Sequence, residues 1–433
     1  MNIISKCSLT RIKRLFKEGF WLGAGQIISV FGSLFLVSVL TEHLSPGQYG
    51  QLSLGLTVAG LVNGVVMGGV INGISRFYSI AEEKQDLGGY INATRGLLLY
   101  ASLVALLILL LLISGLLWLG YPQWIAIAAL TVVFSVLSAY NAALSGIQNA
   151  ARQRLVVALH SGLDAWFKIG LVMLLMLWFG KSSTSVVIGY ACSSLLIIFS
   201  QLVFLRRTIP AQKKQPTIDH QWMKQILAYS IPFSTWGIFG WAQQSSARYA
   251  LEVFSTTETV GFYSVLSQLG YAPIQIVTAT GLTFLMPIIF SRSGDGSSVI
   301  GKDNVRELIK KLVILGLGFT AFAVLAAAIL HSYIFHLLVD DSFFSVSCFL
   351  PWVVLAGGIF AVAQLYASKA MALLMTKEIT SAMIGSSIIG IAAAMVGTYY
   401  FSLAGAVFSM VIHAISYLIW IVITVRSIDK YPM

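Results

Sequence analysis

Charge is scarce in this chain: 10% of its 433 residues are Asp, Glu, Lys or Arg, against about 25% in a typical soluble domain. A water-soluble protein of this length needs a charged layer over its cores, and the residues to build one are missing. With 58% of residues hydrophobic, lipid is the solvent expected for most of the surface. Cysteine is sparse as well. Cys7, Cys192 and Cys348 show no short spacing, which excludes a disulfide framework and a thiolate metal site. No H-E-x-x-H run, His and Cys cluster or defensible Ser, His and Asp set is present, so nothing argues for metal or covalent catalysis. Gly180, Lys181 and Ser182 imitate the end of a Walker A loop, but position 175 is Leu where the first glycine is required, and no ATP site is read. No A-x-A-like site closes the first apolar span; that span is expected to stay as an anchor.

Long apolar runs are abundant. A bilayer core about 30 Å thick takes about 20 apolar residues in a helix, because a helix satisfies its own backbone in hydrocarbon. Twelve such stretches lie near 20–40, 51–73, 96–119, 124–146, 155–179, 185–205, 225–250, 260–290, 312–335, 346–368, 380–400 and 404–425. The eighth is long enough to be tilted or broken near Pro273 or Pro287. The net charge of +11 follows from topology rather than from a nucleic-acid partner. Almost all of the 27 Lys and Arg fall in the arm 1–19, in alternate connections or in the tail; Lys181 alone sits in an outer loop, and Lys168 and Arg248 fall within spans. Positive residues are retained on the cytoplasmic side, so both termini are expected there. The arm, with Ile12, Leu15 and Phe16 among its charges, reads as an amphipathic segment on the inner leaflet.

The polar connection 206–224, with Pro210 and Pro216, reads as a linker. The expected fold is an all-α integral membrane protein. Its twelve transmembrane helices form two six-helix bundles, 20–205 and 225–425, related by a pseudo-two-fold along the membrane normal, and a tail, 426–433, completes the chain. An internal echo accompanies the split: Gly50 and Ser53 register with Gly261 and Ser264 at an offset of 211.

A charge near the bilayer centre costs at least about 2.5 kcal/mol, so each needs a partner or a wet cavity. His160, Asp164 and Lys168 are spaced four and four, which stacks them on one helical face. They read either as a titratable or phosphate-binding stripe along a lumen, or as an ion pair that glues helices together. Arg248 follows Gln243 and Gln244 and either snorkels to water and pairs with Glu252 at i+4 or meets an anion. Arg76, Arg95 and Lys369 sit at cytoplasmic helix ends; topology explains them, and as a group they also suit the basic mouth of a cavity. The second helix carries Gly64, Gly68, Gly69 and Gly73 at G-x-x-x-G spacings, suited to close helix packing. Its amides Asn63 and Asn72 need hydrogen-bond partners and suit sugar hydroxyls. Pro232 permits a kink in the seventh helix.

Several of these stretches resemble one family. Leu40 and Thr41, Leu44 to Pro46 and Gln48 to Gly50, then Tyr229 to Pro232, Ser245 to Tyr249, Val260 to Tyr263 and Pro273 follow the order found in bacterial polysaccharide and O-antigen flippases. Their superfamily also holds multidrug and toxic compound extrusion transporters and the peptidoglycan lipid flippase. The resemblance implies two bundles around a V-shaped, often cationic lumen that opens alternately to either side, with an oligosaccharide on undecaprenyl pyrophosphate as cargo. Arg248 stands where relatives commonly carry an Asp-Arg pair, with Ala247 in place of the acid; Gln26 stands where the peptidoglycan group tends to carry basic residues.

On this reading Arg248 and Lys168 hold the diphosphate, approached past Arg76, Arg95 and Lys369, while Asn63, Asn72, Gln243 and Gln244 meet glycan hydroxyls. No cofactor is expected. Without a nucleotide site the drive is expected from a proton or sodium gradient, the membrane potential or removal of the flipped product, with Asp164 and His160 as the candidate coupling pair. The expected partners are membrane lipid, a polysaccharide polymerase and a chain-length regulator. Two alternatives stand beside it. One is a multidrug antiporter whose site Trp236 and Trp241 line. The other is a membrane enzyme of polysaccharide assembly, against which the short outer loops argue.

Overall fold

The computed structural model describes residues 23, 25–208, 220–293, 299–372 and 376–430. The arm 1–19, Lys213, Lys214, Pro210 and Pro216 lie outside the described residues, as do the side chains of Pro232, Trp236 and Pro287. The described residues are helical almost throughout and contain no strand. In chain order the helices are α1 (Gly25–His43), α2 (Pro46–Glu83), α3 (Leu87–Trp118), α4 (Ile125–Ala150), α5 (Arg154–Phe179) and α6 (Ser183–Thr208). Then come α7 (His220–Phe254), α8 (Thr257–Leu266 continuing into Ala272–Ser293), α9 (Val299–Leu338), α10 (Leu350–Ala372) and α11 (Thr376–Lys430).

Ten helical runs among the described residues are long and apolar enough to cross a bilayer. The chain is a multi-pass membrane protein. The last run, Lys377–Val425, has 49 residues, more than twice what one crossing needs. It breaks at Ser402, whose φ of 48° and ψ of −125° leave the helical region. There the Ser402 hydroxyl bonds the Ser255 hydroxyl at 2.8 Å. The expected connection at 401–403 is thus a one-residue reversal inside α11, giving two crossings. The remaining crossing is α7, which falls outside the ten because Ser230, Ser234, Thr235, Gln243, Gln244, Ser245, Ser246 and Arg248 dilute its apolar residues.

Two helices carry π-turns, in which hydrogen bonds skip one residue further than in an α-helix. One spans Val62–Met67 in α2 and the other Ser267–Tyr271 in α8. Pro273 lacks the N–H that an α-helix would direct to residue 269, so the break anticipated near Pro273 takes the form of a π-turn just before it. The turn in α2 has no proline to announce it.

The chain divides into two compact units, and the divisions run through helices rather than through the 206–224 connection. The first unit comprises residues 1–36 and 55–241; the second comprises 37–54 and 242–433. In the first, Val70, Ile74, Tyr90, Leu97, Ile147 and Ile226 form a buried core of α2, α3, α4 and α7. Asp86 ties its edge. One carboxylate oxygen caps α3 by accepting from Gly89 N at 3.0 Å, and the other accepts from Trp222 Nε1 at 2.8 Å. Gly69 and Gly73 of α2 do what their spacing suggests, whereas a Cβ on Gly64 would meet nothing within 4 Å and one on Gly68 only the Asn63 backbone of the same helix. A Cβ on Gly73 would stand 2.8 Å from Ile226 Cγ2 and 3.0 Å from its carbonyl oxygen, and one on Gly69 would meet the backbone oxygen of Ser230 at 2.7 Å. Only hydrogen fits between α2 and α7 there. In the second unit, Ile289, Val305, Ile309, Val313 and Val362 join α8, α9 and α10.

Candidate functional site

Among the described residues, each unit holds a cation in a polar cluster within a helical span. In the first unit the cation is Lys168. Small residues bring α1 against α5: a Cβ on Gly25 would lie 2.9 Å from Ala158 Cβ, and one on Gly32 would lie 2.9 Å from Ala165 Cβ. Two turns of backbone thus approach closely, and Ser29, between the glycines, borders a cavity of about 430 Å³ lined also by Ser33, Ser161, Phe134, Tyr190, Asp164 and Lys168.

The Lys168 ammonium donates to Asp164 Oδ2 at 2.6 Å, and the Ser193 hydroxyl donates to Asp164 Oδ1 at 3.0 Å. Two rings complete the setting. Lys168 Nζ stands 5.7 Å from the Phe134 ring centroid and 5.8 Å from that of Tyr190, within range of attraction to their faces. The pair retains 22% and 26% of its side-chain exposure, so it is neither sealed nor bare. Spacing found the pair but not its surroundings, because Phe134 comes from α4 and Tyr190 and Ser193 from α6.

His160 shares the helical face but not the cluster. It is buried, its Nδ1 bonds the Val156 carbonyl at 2.7 Å and its Nε2 the Ser200 hydroxyl at 2.9 Å, and its ring meets Phe204 edge-on. Both nitrogens are engaged, Nδ1 within α5 and Nε2 across to α6, and the Asp164 oxygens are engaged by Lys168 and Ser193. Asn63 lies in the α2 π-turn, while Asn72, Arg76 and Arg95 are exposed. Trp241, expected to line a drug site under one alternative, donates to the Thr57 carbonyl at 2.7 Å and covers Gly60.

In the second unit the cation is Arg248, and its partners reveal what the sequence echo means. Gly50 of α2 and Gly261 of α8 meet at a helix crossing too close for any Cβ. One on Gly50 would run into the Thr257 backbone, and one on Gly261 into the Pro46 backbone. One turn on, the Ser53 and Ser264 hydroxyls bond at 2.5 Å. Arg248 Nε donates to Ser53 Oγ at 2.9 Å and to Ser264 Oγ at 3.3 Å, its Nη1 donates to the Gln244 carbonyl at 3.0 Å, and its guanidinium carbon stands 5.6 Å from the Tyr263 ring centroid. The anticipated Arg248–Glu252 ion pair does not form. Glu252 Oε1 instead accepts from the Thr257 hydroxyl at 2.9 Å.

Gln243 and Gln244 border a small cavity with Tyr263, Ser267, Tyr271, Met410 and His413. Its free volume, about 20 Å³, is that of a single water. His413 escaped the sequence reading. Its Nδ1 bonds the Ser386 carbonyl at 3.1 Å, and it is 5% exposed. Lys369, anticipated at an open mouth, is 3% exposed in the last turn of α10 and has a partner of its own. No group of His, Cys, Asp and Glu among the described residues is arranged to hold a metal ion.

A family model described as polysaccharide biosynthesis protein matches residues 11–293. The chain belongs to that family. A search of the curated proteins found no match. Among solved structures, this member of the polysaccharide biosynthesis family is similar to the lipid II flippase MurJ in an inward closed conformation, with a TM-score of 0.74, 12% identity and 95% and 87% of the two chains covered. It is also similar to a multidrug resistance MATE family transporter of the MOP superfamily in an inward-facing conformation (TM-score 0.68, 14% identity, 94% and 96% covered). A third is a MOP superfamily transporter from Pyrococcus furiosus, whose binding pocket has reverse polarity (TM-score 0.62, 13% identity, 96% and 97% covered). These likenesses establish the fold, one used by membrane transporters.

Proposed function

We propose that this polysaccharide biosynthesis family member is a flippase. It moves an oligosaccharide linked to undecaprenyl pyrophosphate across the bacterial inner membrane by alternating access, both termini being cytoplasmic. The observation that carries the reading is Lys168, an ammonium inside an apolar span that borders a cavity of about 430 Å³. Such a group is retained in a span only where it is solvated or paired and put to use. The task needs no covalent step, since a polar headgroup has only to be shielded while it crosses hydrocarbon.

Within the first unit Lys168 offers a cation to the diphosphate; within the second, Arg248 is a cation suited to the same class of anion, and Gln243 and Gln244 offer amides to glycan hydroxyls. The exposed Asn72, Arg76 and Arg95 suit the approach of the headgroup. A proton or sodium gradient drives the cycle, and a polysaccharide polymerase and a chain-length regulator receive the product. Trp241, tied to Thr57, is a poor wall for the drug site that the multidrug alternative needs.

Surface glycan, measured in cells lacking the native gene and supplied with Lys168→Ala or Arg248→Ala at normal protein levels, is expected to be lost. Full glycan display with both variants would refute the assignment.

A further inference from the structure

The Lys168 ammonium that the proposed function offers to a phosphate is already occupied. Asp164 holds it at 2.6 Å, so an arriving phosphate must displace the carboxylate. The surroundings set the cost of that exchange. Facing this pair, α1 contributes Ser29 and Ser33, α2 Leu56, α4 Phe134, and α6 Tyr190 and Ser193. Of these Tyr190 alone is titratable, and His160, one turn before Asp164, is directed to Ser200. A phosphate on Lys168 beside an ionised Asp164 would therefore leave two anions sharing one cation in a largely apolar wall, an arrangement in which one anion must be neutralised.

The local geometry accommodates neutralisation. Ser193 bonds Asp164 Oδ1 at 3.0 Å, and a hydroxyl serves a carboxylate as donor and a carboxylic acid as acceptor. The Phe134 and Tyr190 rings, 5.7 and 5.8 Å from the ammonium, keep attracting it once the carboxylate is gone. Lys168 thus stays at the cavity when its partner is discharged.

We propose that binding of a phosphate-bearing anion at Lys168 is coupled to the uptake of one proton by Asp164. The proton moves from solvent onto a carboxylate oxygen, the ion pair opens, and the ammonium passes from Asp164 to the phosphate. Release of the anion reverses each step. This names the coupling of the site put forward above and rests on that reading for the class of cargo. It assigns the exchange to Asp164 and Lys168, with no part for His160.

The test uses the full-length purified chain in lipid nanodiscs and two probes, inorganic pyrophosphate and farnesyl pyrophosphate. Affinity is measured by calorimetry between pH 5.5 and 8. Asp164→Asn reads the probes' own titration, so the informative quantity is the slope of the wild type relative to that variant. Linkage of one proton predicts about a tenfold gain in affinity per pH unit of acidification beyond the Asp164→Asn slope. It also predicts tighter binding by Asp164→Asn than by wild type at pH 8, and at least about tenfold weaker binding by Lys168→Gln throughout.

Parallel slopes for wild type and Asp164→Asn would overturn the proton linkage while leaving the anion site standing. Wild-type affinity in Lys168→Gln would overturn the anion site and the flippase assignment with it. A response to inorganic pyrophosphate with none to farnesyl pyrophosphate would keep the linkage and refute a lipid-borne cargo. Should Lys168→Gln fail to fold, the comparison of wild type with Asp164→Asn still decides.

Discussion

Replacing Gly261 by Ala tests a close backbone approach in the second unit. A Cβ there would lie 3.0 Å from the Pro46 carbonyl carbon and 3.2 Å from Gly50 N, and closer still to the Pro46 carbonyl oxygen. Carbon keeps about 3.5 Å from its neighbours, and these are backbone atoms that cannot turn aside. To clear the Pro46 carbonyl oxygen as well, the α2–α8 crossing must open by more than about 1 Å. Overpacking of this kind costs about 1–3 kcal/mol. The Ser53–Ser264 hydroxyl pair at 2.5 Å is stretched by the same movement, for about 0.6 kcal/mol more. A Cβ added to Gly281 in the same helix would have no neighbour within 4 Å, so Gly281→Ala gains helix propensity without a clash and serves as the control. The two variants are expected to differ by about 2–3 kcal/mol, or roughly 5–10 °C in apparent Tm for a unit of this size, measured by thermal unfolding in detergent. If Gly261→Ala unfolds with Gly281→Ala, the crossing is not the tight contact described.

Two further substitutions read other elements. Asp86→Ala removes the α3 cap and the Trp222 bond together, and thermal unfolding is expected to register a loss of about 2 kcal/mol; Asp86→Asn is expected to restore the cap alone, since its one amide oxygen can accept from Gly89 while its NH2 cannot accept from Trp222. The Ser342 side chain and N–H beside Asp340 hold its carboxyl below the usual range. A lowered folded-state value means stabilisation that is complete above about pH 4–5 and lost as pH falls below about 4. Asp340→Asn should therefore flatten that acid-side slope in the apparent Tm, by a small amount because the group is exposed.

The legible part of the fold is the part that the solvent dictates. Hydrocarbon demands self-satisfied helices, so apolar runs located every crossing, including α7, whose polar residues keep it outside the ten most apolar. The ends were less visible. The apolar run of the third span begins near residue 96, yet α3 starts at Leu87; its first turns stand in the watery boundary, where a cap at Asp86 rather than hydropathy decides. The α2 π-turn at Val62–Met67 left no signal, whereas Pro273 announced its counterpart in α8. Spacing along one helix revealed the Asp164–Lys168 pair because both partners share a face. The partners of Arg248 were misread for the converse reason. Spacing offered Glu252 at i+4, but the guanidinium reaches Ser53, a residue 195 positions away that no helical period can propose.

The offset of 211 acquires a physical meaning in the folded chain. Two matched pairs are weak evidence for a repeat while they remain letters. In the structure the matched residues touch each other, and they do so reciprocally: Gly50 abuts Thr257 where Gly261 abuts Pro46, and Ser53 bonds Ser264. Pro46 and Thr257 stand at the same offset. A contact in which i meets j' and j meets i' is what a two-fold axis produces, so α2 and α8 cross about a local pseudo-two-fold. Arg248 breaks that symmetry. Its place under the offset is held by Val37, so a single guanidinium serves a serine pair built from both copies. The small residues that let two backbones meet stand on both crossing helices, while the charge comes from α7 alone.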